Sequence, residues 1–149
     1  MRNQISFHSA LLFCLIVAAF LTGSASAKAA NDLPVRLVLA QQRDEPFASR
    51  GLRDVSKLLR QNLRYNSYRL LQEKTITPKS GSSVSLRKGL KLAFFQVNGN
   101  VMKVRILQKD QELVSTRLTL RPRHPLVLGG FHAGDNGILI IILGRGKRQ

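Results

Sequence analysis

Hydrophobic residues along this chain keep two different periods. From Leu33 to Ala40 the chain reads LPVRLVLA, and Leu33, Val35, Leu37 and Leu39 fall at every second position with Arg36 on the other face. That period predicts a β-strand, which QQRDEP ends. Between Phe47 and Arg64 the spacing lengthens. Leu52, Val55, Leu58, Leu59 and Leu63 gather within an arc of roughly 140° at 100° per residue, predicting one amphipathic helix over 47–64. Beyond an Asn66-Ser67 break, YRLLQEKTIT is rich in aromatic and β-branched residues and reads as a strand that Pro78 closes.

From Ser83 onward the period is two almost to the end. Val84, Leu86, Leu90, Leu92 and Phe94 share even parity, as do Met102, Val104 and Ile106, and then Val114, Leu118 and Leu120. Keeping these on one face selects three-residue loops, Asn98–Asn100 and Asp110–Glu112, because a two-residue loop pairs even positions with odd ones. In that register Arg105 stands directly opposite Arg117. HPLVLGG forms a further strand, FHAGDNG the loop after it, and Ile138–Leu143 a run of six aliphatic residues without alternation. The run is far too short to cross a membrane as a helix. It predicts a strand covered on both faces, by the helix on one side and by sheet curvature or a second molecule on the other. The expected fold class is therefore α+β: one amphipathic helix packed on a mostly antiparallel β-meander sheet.

The N-terminus stands apart from this pattern. Arg2, the apolar stretch Ala10–Leu21 and the Ala25-Ser26-Ala27 site predict a secretory signal peptide over 1–27, with a single domain over 28–149. Cys14 is the one cysteine and lies inside that leader, with Phe13 rather than a small residue before it. The exported chain would have no disulfide and no thiolate metal site. It would be stabilised by its core alone and would be periplasmic or secreted.

Charge changes the picture most. The formal net charge is +16, with 24 Lys and Arg against 8 Asp and Glu. Such an excess implies anionic surroundings or partners. Two basic surfaces follow from the pattern. The outward sheet positions carry Arg87, Lys91, Lys103, Arg105, Arg117 and Arg121. The polar side of the helix carries Arg50, Arg53, Lys57, Arg60 and Arg64 within roughly 80°, the weaker candidate because a solvated helix face reads the same way.

Catalytic and metal chemistry find little support. His124 and His132, with Asp135 nearby, fall short of a convergent zinc set. Asp44-Glu45 and Asp110 with Glu112 are turn residues rather than an acid/base pair, and no phosphate-binding glycine loop or nucleophile elbow occurs. No cofactor is implied. Phe131, at the tip of the glycine loop, is a contact candidate. Among the aromatic residues only Phe95 shares the outward parity of the basic sheet, so nucleic acid is not the favoured partner. The expectation is an exported, non-enzymatic binding or assembly module of the bacterial envelope, engaging an envelope protein or anionic surface. The alternative is a binder of anionic polymers: lipopolysaccharide, anionic lipid or extracellular nucleic acid.

Overall fold

Among the described residues nine strands and one α-helix make two sheets and a helical layer. The computed structural model describes residues 32–134 and 137–146; the expected signal peptide and Asp135 lie outside the described residues. In chain order the elements are β1 (Leu33–Gln41), β2 (Phe47–Ala48), α1 (Ser56–Asn62), β3 (Ser67–Ile76), β4 (Ser83–Ser85), β5 (Leu90–Asn98), β6 (Val101–Gln108), β7 (Gln111–Thr119), β8 (Leu126–His132) and β9 (Gly137–Leu143). One sheet has the order β2-β3-β1-β9-β8, the other β4-β5-β6-β7. Neighbours are antiparallel except for the short β2–β3 pair. The described residues are mostly β with one α-helix. The single sheet expected from the pattern is in fact two sheets, face to face.

The apolar positions explain the layering. Val35, Leu37, Leu139, Ile141 and Leu143 leave the five-stranded sheet on one side and meet Leu90, Leu92, Phe94, Val104 and Ile106 of the four-stranded sheet. On its other side Val38, Ala40, Tyr68, Ile140 and Ile142 meet Leu52, Val55 and Leu59. The aliphatic run Ile138–Leu143 is therefore interior on both faces. What covers the face away from the helix is the second sheet, so no partner molecule is needed there.

The helical segment is shorter than its apolar period. Only 56–62 are α-helical; Arg50–Leu52 form a 3₁₀ turn and Leu63 is already extended. Phe47 to Ser49 are held against the edge of β3 instead. The Phe47 and Ser49 amides donate to the carbonyls of Asn66 and Tyr68, and the Ser49 hydroxyl accepts from the Leu70 amide. No side chain caps the start of α1. Leu52, Val55 and Leu59 still reach the sheet, because turn and helix keep nearly the same sidedness.

Two turns also differ from expectation, and for one reason. Asn98 pairs with Val101 and Gln108 with Gln111, so both loops have two residues. Lys109 and Asp110 take φ of 49° and 65°, the type I′ signature. Parity survives because each hairpin holds a β-bulge, between Phe94 and Gln96 and opposite Ile106/Leu107. The extra residue in each strand offsets the even-to-odd pairing of the turn.

Candidate functional site

Packing the even side chains of β5 and β6 into the core sends Lys91, Lys103 and Arg105 to the outside of the four-stranded sheet. Lys91 lies between Ser85 and Leu107, Arg105 between Ala93 and Ser115, and Lys103 between Gln96 and Arg117. The expected Arg105–Arg117 opposition is thus corrected to Lys103–Arg117. The shorter turn and the bulge together slide β7 by two residues, which preserves faces but changes partners. Like charges still stand opposite one another, and this pairing is unfavourable. Among the described residues no carboxylate pairs with Lys91, Lys103 or Arg117.

Arg105 is differently placed. Its guanidinium carbon lies 4.4 Å from the centre of the Phe95 ring, and its Nε is 3.5 Å from Glu112 Oε2. Both charged groups of that ion pair are half exposed, so it adds little stability, while a cation–π contact at such a site contributes about 0.5–1 kcal/mol. Phe95 is the bulged residue of β5 and is 37% exposed. Leu113, in the bulge of β7, is 40% exposed. The two bulges thus place exposed apolar residues on the strands flanking Arg105.

The remaining candidates scatter. Arg87 lies in the 3₁₀ turn between β4 and β5, where its amide donates to Gln72 Oε1. Arg121 lies beyond β7, bridged to His124, and lines a cleft at the end of the sandwich. Arg50, Arg53, Lys57, Arg60 and Arg64 are all exposed, over the 3₁₀ turn, α1 and the residue after Leu63. They belong to the helical layer, which the five-stranded sheet separates from the basic sheet face.

Phe131 is not a loop tip. It belongs to β8, pairs with Leu139 and is 7% exposed, because a bulge at Gly130 (φ 97°) turns the strand and aims the ring into the core. His124 and His132 are exposed. Among the described residues no group of three or more His, Cys, Asp or Glu could hold a metal ion.

One polar constellation escaped the sequence reading. Arg36 is 2% exposed. Its Nη1 donates to Asp54 Oδ1 at 2.7 Å and to the Gly51 carbonyl, and its Nη2 to Asp54 Oδ2 at 3.0 Å and the Gly144 carbonyl. Asp54 also accepts from the Gly146 amide at 2.7 Å. Burial pushes the Asp54 carboxyl up, but the Arg36 hydrogen bonds, the Gly146 amide and the Arg36 charge outweigh it and hold the group below its ordinary value. A side chain at Gly146 would collide with the Asp54 carbonyl. Arg36 and Asp54 thus tie β1, the segment before α1 and the chain after β9 into one clamp. Val38 and Ala40 signalled it: both are apolar on the same face as Arg36, so that face is interior.

The fold and the site together define a class, a β-sandwich backed on one side by a helical layer and basic on the other. No protein-family model, curated protein or solved structure matches the chain. Among the described residues no helix is long and apolar enough to cross a membrane.

Proposed function

We propose that this protein is an exported, non-enzymatic binding module of the bacterial cell envelope whose partner lands on the outer face of the four-stranded sheet. The observation that carries the reading is the Lys103–Arg117 pair, two cations opposite each other on a rigid sheet with no carboxylate of the described residues to neutralise them. A complementary anionic surface would relieve that repulsion on binding. Phe95 and Leu113 beside Arg105 support an envelope protein as the partner, since aromatic and arginine side chains with apolar neighbours suit the centre of a protein interface. The second reading is an anionic polymer, favoured by the overall charge. Salt separates the two. Retention of the protein on a washed envelope fraction is measured from about 50 to 500 mM salt. A polymer held by many Lys and Arg contacts is lost steeply over that range, whereas a protein contact centred on Phe95 and Leu113 keeps most of its affinity. Absence of retention at every salt concentration would remove both readings.

A further inference from the structure

The two sheets part where β5 turns into β6 and where the chain leaves β9, and an open cleft of about 780 Å³ lies between them. That volume falls within the roughly 300–1,000 Å³ of small-ligand sites. Its floor is apolar. Leu33, Met102 and Leu143 close the core from below, and half-buried Val97 and Leu120 widen the apolar surface. Its rim is basic: Arg121, Arg123 and Arg145 line the opening, with His124 beside them. Of the nearby carboxylates, Asp32 also lines it and is engaged with the Thr77 hydroxyl at 2.9 Å, while Glu73 holds Arg145 at 2.9 Å. Arg121 and Arg123 have no carboxylate partner among the described residues.

The turn that carries these two arginines is strained. Arg121-Pro122-Arg123-His124 closes with the His124 amide donating to the Arg121 carbonyl. Proline suits the second position, but Arg123 stands third with φ 61°, where a turn of this kind favours glycine. A long cationic side chain held in a conformation glycine would adopt freely is the sort of strain that collects at ligand-contacting positions. Guanidinium groups pair bidentately with carboxylate and phosphate oxygens.

We infer that the cleft binds a single-chain amphiphile with an anionic headgroup, its chain on the Met102–Leu120 floor and its headgroup at Arg121 and Arg123. This site is separate from the sheet face and does not depend on it. The probe is dodecyl phosphate, kept below its micelle concentration and titrated into the protein while methyl NMR signals are followed. Binding is expected to saturate and to shift Met102, Leu120 and Leu143. Inorganic phosphate and dodecyl maltoside should each bind at least tenfold more weakly. Arg123→Gly and Arg121→Gln should each weaken dodecyl phosphate about tenfold, the loss expected for one charge-assisted contact, and Lys103→Gln should not change it. The inference is overturned if dodecyl maltoside or inorganic phosphate binds as tightly as dodecyl phosphate. Shifts confined to the outer sheet face, or full affinity in both arginine variants, overturn it equally.

Discussion

Removing Asp54 tests the clamp that joins three parts of the chain. In Asp54→Ala the buried Arg36 loses two of its four hydrogen-bond acceptors and its only counter-charge among the described residues, and the Gly146 amide loses its acceptor. Leaving one member of a buried ion pair uncompensated costs about 3–5 kcal/mol. The Asp54 side chain is 18% exposed, so water can approach the guanidinium from that edge, and the lower end, about 3 kcal/mol, is expected. Against a total stability of roughly 5–15 kcal/mol, that is a large fraction. In urea, with a slope of about 1.5–2 kcal/mol/M, the midpoint should fall by about 1.5–2 M at unchanged slope. The double variant Arg36→Met/Asp54→Leu should recover most of the loss, because it buries no lone charge. Cleavage by trypsin after Arg145 should accelerate in the single variant as the Gly144–Gly146 segment loosens. A midpoint shift below about 0.5 M, with Arg36→Met equally benign, would refute the reasoning.

Three further outcomes follow from the same geometry. Lys103→Gln should raise stability by a few tenths of a kcal/mol by removing the like-charge pair with Arg117, whereas Arg105→Gln should lower it by about 0.5–1 kcal/mol through loss of the Phe95 contact; thermal melts in low salt distinguish the signs. Because the folded-state pKa of Asp54 is depressed, its contribution is fully present above the unfolded value near 3.9 and is lost as pH falls from there through the lower folded value. Urea midpoints between pH 7 and 2.5 should show that decline, and Asp54→Asn should flatten it. Ile140→Ala and Ile141→Ala should each cost about 2–5 kcal/mol, since one faces the helical layer and the other the second sheet; a cheap loss at either position would mean that its face of β9 is not filled.

What was legible in the sequence was sidedness. Even parity from Val84 to Ile106, and again at Leu118, placed inward the residues that the structure buries, whereas Val114, expected inward beside the bulge of β7, is 37% exposed. The unbroken run Ile138–Leu143 marked a strand without a solvent face. Pairing was less legible, because a bulge adds one residue without leaving a pattern of its own. At Phe95 and Leu113 the bulges absorb the parity change of a two-residue turn, so loop lengths and the partner of Arg105 were misread while the faces, Val114 apart, were not. Phe131 was misplaced for the same reason, through the bulge at Gly130. The helix was overestimated because side-chain periodicity does not report backbone hydrogen bonds; Phe47–Ser49 satisfy theirs on β3. Arg36 was missed because an arginine in a strand reads as exposed until its own face, with Val38 and Ala40, is seen to be apolar.

The basic sheet face is tested most directly by removing its unpaired charges and comparing the result with the same loss on the helical layer. Equilibrium binding to the washed envelope fraction at about 100 mM salt is measured for the unaltered protein, for Lys103→Gln/Arg117→Gln and for Arg53→Gln/Lys57→Gln. Each pair removes two positive charges, so a general charge effect lowers both alike. The account predicts at least a tenfold loss for Lys103→Gln/Arg117→Gln, with stability kept or raised, and less than a twofold change for Arg53→Gln/Lys57→Gln. Equal losses in the two variants, or the larger loss on the helical layer, would contradict it.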